Sequence, residues 1–343
     1  MSKDVEFGLD TFGDVTLAPD GKFLPQAQVI RNVIAEAELA DRLGIDFFGI
    51  GEHHRTDFAI SAPEVALAAI AARTRRIRLG SAVTVLSSDD PIRIFERFST
   101  LDAISQGRAE VILGRGSFIE SFPLFGFDLG QYEELFEQKL DLYSAITSNR
   151  IVDWQGNWRP PLKGQEIFPP IEKGSLKTWI GVGGTPESVT RAVRYDMHLM
   201  LAIIGGDPQR FRPYVDLYQK LVAESGRVAR EVGVHSPGYV AETDEKARRE
   251  LFPHFKKIRD RLGQERGWPP VTEVDFEREI EHGSLYAGSP GTVARKIAET
   301  VKGLGLSRFQ MKYSAGPMMH ENLLSSIELY ANKVIPQVRN LLA

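Results

Sequence analysis

Residues 49–54 read Gly-Ile-Gly-Glu-His-His. Glu52, His53 and His54 put three protonatable side chains in a row, directly after an apolar segment, 45–50, that reads as a short buried strand. Buried strands exclude such groups unless they are paired, because an unpaired buried polar group is costly. Strand ends that open onto a site use them. A histidine here suits general-base chemistry, because its ordinary pKa lies near neutral and a carboxylate can orient it. One of the two histidines, with Glu52 orienting it, is therefore the candidate general base. The other reading is a hydrogen-bonded cluster at a sheet rim. Adjacent residues on an extended segment point to opposite sides, so His53 and His54 are poor joint ligands, and no metal is expected.

Two further segments suit anion binding. Gly183-Gly184-Thr185-Pro186-Glu187-Ser188 follows a predicted strand. The glycines let a ligand approach the backbone, and Thr185 stands where it would cap a helix begun by Pro186. The free N–H groups and dipole of a helix start attract phosphate; an ordinary capped turn has the same composition. Arg115, between Gly114 and Gly116, could grip phosphate bidentately or pair with a rim carboxylate.

The elements that must position these groups alternate along the chain. Strands are predicted at 5–9, 45–50, 77–85, 109–113, 179–182, 198–203, 232–240 and 309–313. Helices are predicted at 25–43, 62–73, 91–104, 131–147, 186–194, 208–224, 244–262 and 321–341. Regular β-then-α alternation implies a parallel sheet. About eight such units fit a closed (β/α)8 barrel, with its site at the C-terminal ends of the strands. An open doubly wound sheet would show a glycine-rich fingerprint after the first strand, and Asp10-Thr11-Phe12-Gly13-Asp14 is not one. The expectation is an α/β TIM barrel forming a single domain, 1–343. Stretches 151–177 and 263–285 and an extra helix at 288–304 enter as insertions at the C-terminal mouth.

Composition narrows the function. The chain has 343 residues, 42% of them hydrophobic, and a net charge of −4. No basic stripe is present, so nucleic acid is not an expected partner. There are no cysteines, which excludes thiolate nucleophiles and zinc-thiolate sites. No secretory signal is read at 1–10 and no apolar run is long enough to span a bilayer, so the expected location is cytoplasmic, without a membrane partner.

The chain resembles the bacterial-luciferase-like flavin-dependent monooxygenase family. The resemblance rests on Gly49–His54, Leu79-Gly80-Ser81-Ala82-Val83, Asp90-Pro91-Ile92-Arg93, Leu113-Gly114-Arg115-Gly116, Val182-Gly183-Gly184-Thr185-Pro186-Glu187-Ser188 and Tyr286-Ala287-Gly288-Ser289-Pro290, in that order along essentially the whole chain. It implies a TIM barrel that binds FMN and uses the reduced cofactor with O2 to oxygenate a small organic substrate. By motif position, Arg115, Gly183, Gly184, Thr185 and Ser188 would hold the FMN phosphate. Ala82 and Val83 match the family's non-proline cis peptide, against which the flavin packs. His53 matches its proposed base, supported by Glu52, with His54 behind. Phe12 and Phe118 are candidates for an apolar wall. A separate flavin reductase and a homodimer through the helices after strands two and three are implied partners. The resemblance also admits a deazaflavin-dependent hydride-transfer oxidoreductase or a non-catalytic flavin-binding protein. Gly184 stands where the luciferases carry an acidic residue, and bioluminescence is not implied.

Overall fold

The computed structural model describes residues 5–116 and 118–343. Residues 1–4, part of the segment read for a secretory signal, lie outside the described residues. The first half of the chain runs β1 (Glu6–Thr11), α1 (Gln26–Leu43), β2 (Phe47–Ile50), α2 (Pro63–Ala71), β3 (Arg78–Ser81), β4 (Thr84–Val85), α3 (Pro91–Ser105), β5 (Ala109–Gly114), α4 (Ser121–Phe125) and α5 (Tyr132–Ser148). The second half runs β6 (Ile151–Trp154), β7 (Leu162–Glu166), β8 (Lys177–Val182), α6 (Pro186–Arg194), β9 (His198–Ala202), α7 (Arg212–Ser225), β10 (Val232–Val240), α8 (Asp244–Arg266), α9 (Glu273–Glu281), β11 (Tyr286–Gly288), α10 (Pro290–Leu304), β12 (Arg308–Lys312), α11 (His320–Leu329) and α12 (Ile335–Leu342).

Strands β1, β2, β3, β5, β8, β9, β10 and β12 pair in parallel, and β12 returns to β1. This closes the expected barrel. Alternate residues of each strand point inward. One inner tier, at the N-terminal end, carries Arg78, Glu110, Lys177, His198 and Arg308. Above it Phe47, Ile112, Trp179 and Met200 form an apolar plug. Toward the C-terminal mouth the inner face carries Asp10, Gly49, Gly181, His235, Gln310 and Lys312. The outward residues, such as Leu9, Phe48, Leu79 and Val111, pack under the helices.

Three differences from the sequence reading have local causes. The third predicted strand is broken in two by a cis peptide bond between Ala82 and Val83. The predicted 321–341 helix is interrupted by a π-helical segment, Tyr330–Val334, just before Pro336, whose missing N–H cannot continue the α ladder. The stretch 263–285 is more regular than expected. Helix α8 runs on until Gly267 ends it at φ 71°, and α9 starts with a reciprocal cap between Thr272 and Asp275.

The 151–177 stretch contains an antiparallel hairpin, β6–β7. Trp154 of this hairpin donates to Asp141 Oδ2 on α5 at 2.8 Å. The end of α8 reaches the mouth, where Glu265 binds Arg55 Nη1 at 3.0 Å and Arg261 donates to Thr56 at 3.2 Å.

Candidate functional site

The segment after β2 enters the mouth, and its alternation assigns the three polar groups to different tasks. Glu52 and His54 fall on one side. Glu52 Oε1 meets His54 Nε2 at 3.0 Å, and Glu52 Oε2 accepts from the Val85 N–H at 3.1 Å. The Glu52 N–H donates to the Val83 carbonyl at 3.3 Å. Glu52 thus bolts the chain on the C-terminal side of the cis Ala82–Val83 bond. The expectation that Glu52 orients His53 does not match this geometry. Its carboxylate is spent on His54 and Val85, because residues two apart on an extended segment share a side.

His53 points the other way, into an aromatic shell. Its ring centroid lies 4.4 Å from Phe12, 4.7 Å from Phe58 and 5.0 Å from Phe118. Phe12 and Phe118, with Phe58, enclose the His53 ring. The carboxylate facing His53 is Glu120, whose Oε1 is 3.7 Å from Nδ1, beyond hydrogen-bond reach. Burial pushes the His53 pKa below the ordinary 6.5, and Glu120 opposes the shift only in part. A neutral imidazole in a dry pocket is able to accept a proton at neutral pH. Glu120 carried no signal in the sequence, since it lies in a short loop with no motif.

The anion-binding candidates converge at the ends of β5 and β8. Arg115 Nη2 donates to Thr185 Oγ1 at 3.3 Å, and Thr185 Oγ1 lies 2.9 Å from Ser188 Oγ. Arg115 also pairs with Glu133 of α5. Gly184 adopts φ 115°, a conformation that disfavours side chains, and its carbonyl accepts from Tyr214 at 2.7 Å. The Thr185 side chain does not cap the backbone of α6; Pro186 has no N–H and the Ser188 N–H donates to the Thr185 carbonyl at 3.2 Å, which leaves the Glu187 N–H as the first-turn donor without a partner among the described residues. A Cβ built on Gly183 would meet nothing within 4 Å. Arg191, which the sequence reading missed, brings a buried Nη1 with no protein partner to the same helix. It sits one turn beyond Ser188, a spacing that a helical projection would have exposed.

Glycines clear the space between the two clusters. Gly181 faces Val83, where an added Cβ would sit 3.5 Å from its side chain. Gly114 has no such room, because its Cβ would come within 2.7 Å of Val83. The Gly181 face of β8 is thus bare where it meets Val83, with the Arg115–Thr185–Ser188 cradle beyond the end of that strand. The hydroxyl and guanidinium donors of this cradle suit a phosphate-carrying group.

The family model of luciferase-like monooxygenases matches residues 11–308. The chain belongs to the luciferase-like monooxygenase family. This is an enzyme family of flavin-dependent oxidoreductases. Among solved structures, monooxygenase RslO1 from Streptomyces bottropensis is similar with a TM-score of 0.84 at 23% identity, covering 96% of this chain and 99% of that one. The oxygenating constituent of 3,6-diketocamphane monooxygenase of Pseudomonas putida, solved with FMN, gives a TM-score of 0.78 at 20% identity, covering 97% and 98%. An F420-dependent secondary alcohol dehydrogenase with an F420-acetone adduct gives 0.73 at 16% identity, covering 98% and 99%. At these identities the structures support the luciferase-like fold.

Within that fold the sequence-predicted residues form two groups. Arg115, Thr185 and Ser188 are bonded to one another, with Gly183 and Gly184 in the same turn. Glu52 is hydrogen-bonded to the Val83 carbonyl and the Val85 N–H, and His53 lies in the aromatic shell on the other side of the same segment. Among the described residues, no helix is long and apolar enough to cross a membrane.

Proposed function

We propose that this luciferase-like chain is a monooxygenase that takes reduced FMN and O2 and oxygenates a small organic substrate. One observation carries the reading: the Arg115–Thr185–Ser188 cradle lies beyond the end of β8, whose Gly181 faces Val83 without a side chain, so that a slot for the flavin ring would lie beside Ala82–Val83. Arg115, Thr185, Ser188, the Gly183–Gly184 turn and the start of α6 would hold the FMN phosphate. Ala82 and Val83 would support its ring. Bound reduced FMN supplies the electrons for activating O2.

The chain's own residues do the rest. Phe12, Phe58 and Phe118 exclude water from the slot. His53, kept neutral by burial, takes a proton during the reaction. Glu52 is a positioning residue, holding the backbone around Val83 and Val85 in place. The aromatic shell and the proton acceptor favour a catalyst over a passive flavin carrier. We read the chain as one domain acting as a homodimer in the cytoplasm, with a separate reductase delivering the reduced flavin.

Anaerobic titration with reduced FMN, followed by mixing with air, tests the proposal. Reduced F420 is run in parallel. Tight binding of FMN, and a transient absorbance on mixing that matches neither free reduced nor free oxidised flavin, is the expected result. Binding of F420 alone, with no oxygen-dependent transient, would move the chain to hydride transfer.

A further inference from the structure

Across the mouth from the phosphate cradle lies a polar cluster that the proposed reaction leaves unused. Asp10 on β1, Gln310 on β12 and His235 on β10 occupy three neighbouring strands. Arg115 and Thr185 follow β5 and β8, on the other side of the barrel. Asp10 is fully buried, and its Oδ2 accepts from both His235 Nδ1 and Gln310 Nε2, each at 2.8 Å. Asp10 Oδ1 and Gln310 Oε1 are buried without a partner. His235 keeps 9% of its surface open. Its ring stacks on Phe12 at 6.2 Å and 17°, and Phe12 in turn touches His53. His235 and His53 therefore flank the same phenylalanine.

The bonding occupies Nδ1 and leaves Nε2 as the free position. With its Nδ1–H given to Asp10, the neutral imidazole has a lone pair at Nε2. Nε2 has no protein partner among the described residues. The two orphaned oxygens beside it are also acceptors. The nearby donor Lys312 Nζ is committed to Asp14 at 2.9 Å and to Ser314 Oγ at 3.2 Å. A hydrocarbon against this wall would leave Nε2 dry and unpaired, which is costly. An ether or ketone oxygen would set a lone pair against a lone pair. A hydroxyl group supplies the missing donor.

We propose that His235, oriented by Asp10, binds a hydroxyl group of the organic substrate, so that this enzyme acts on a phenol or alcohol rather than a bare hydrocarbon. The proposal rests on the monooxygenase reading for placing the cofactor in the opposite half of the mouth. Asp10 is a positioning residue for this contact.

Calorimetric titration of the full chain loaded with oxidised FMN tests it, using 2-naphthol, 2-methoxynaphthalene and naphthalene as probes. The naphthol should bind about tenfold more tightly than the ether, the worth of one hydrogen bond. His235→Phe keeps a flat ring against Phe12 and should bring the ratio close to one. Equal affinity for naphthol and ether in the unmodified protein overturns the proposal, as does a preference that survives His235→Phe.

A second readout does not depend on that variant folding. Nitrogen NMR of labelled histidine should show the Nδ1–H tautomer of His235 and a shift of Nε2 on adding 2-naphthol. Asp10→Asn should weaken the tautomer preference. An Nε2 signal unmoved by 2-naphthol also overturns the assignment. Repeating the titrations without flavin separates the two readings. Failure to bind FMN would sink the monooxygenase reading alone, while the naphthol-to-ether ratio still decides the role of His235.

Discussion

At the N-terminal end of the barrel, Arg308 gives Nη1 and Nη2 to Glu110 at 2.8 and 2.9 Å and Nε to Glu6 at 2.8 Å. At the C-terminal end, Asp10 is equally buried but uses one oxygen twice and leaves the other without a partner. The lower cluster is further closed by Trp179, which donates to Glu110 at 2.7 Å, and by an ion pair from Arg78. The guanidinium of Arg308 lies over the Phe47 and Trp179 rings. The cations beside Glu110 hold its carboxyl far below the usual carboxylate range despite complete burial. One end uses both oxygens of Glu110 and all three nitrogens of the Arg308 guanidinium within the fold. The other holds acceptors in reserve, and native structures concentrate such departures where a ligand completes the bonding.

The largest effect expected from this contrast is on stability. Glu110→Gln keeps the shape but removes the main counter-charge of a fully buried arginine. It should cost about 3 kcal/mol or more, because an uncompensated buried charge is left behind. Asp10→Asn, the same kind of change at the mouth, should cost less than half as much. Urea unfolding of both variants measures the difference, and equal losses would erase the distinction between the two ends.

The next effect is on rate. His53→Gln should lower oxygenation about 100-fold, a typical loss for a positioned proton acceptor, while FMN affinity stays nearly constant. Full turnover in that variant would return His53 to the wall of the slot.

The two ends were unequally legible in the sequence. Arg115 and the Gly183–Ser188 turn could be read because glycine flanks, a cap position and Pro186 act locally. The barrel followed from strand–helix alternation. The Glu52–His54 pairing was available in principle, since residues two apart on an extended segment share a side; the sequence reading assigned Glu52 to its immediate neighbour instead. The Asp10–His235–Gln310 cluster was out of reach, because it joins residues 225 and 300 positions apart. The lower network spans 198 positions between Glu110 and Arg308. Its only local trace was a charge inside an apolar strand, as in Ala109–Gly114, and such a residue does not name its partner. Glu120 and Arg191 had no motif of their own.

Arg115→Ala sharpens the contrast from the cofactor's side. It removes a charge-assisted contact and should weaken FMN binding about 10- to 100-fold. Global stability should hardly move, because its partner Glu133 is half exposed and such pairs contribute little. Flavin fluorescence quenching gives the dissociation constant. An unchanged value would hand the phosphate to Arg191.

The smallest effect concerns a histidine at the closed end. His198 Nδ1 accepts from the Glu231 N–H at 3.2 Å, a bond available only to the unprotonated nitrogen. Burial, helped by the charge of Lys177, pushes its pKa down to about 4 from the ordinary 6.5. The unfolded chain therefore takes up this proton first. The stability tied to neutral His198 is complete above pH 6.5 and is lost as pH falls toward 4, with a slope of at most about 1.4 kcal/mol per pH unit. His53 adds a contribution of the same sign, so the comparison must be made against His198→Gln. Carboxylates away from His198 titrate alike in both proteins, and Glu231, which against its burial Lys177 and His198 hold below its ordinary value, titrates below this window, so the difference in slope between pH 6.5 and 5 isolates His198. If the slopes coincide, His198 titrates as a free imidazole would, and the N-terminal end is less tightly closed than its hydrogen bonds indicate.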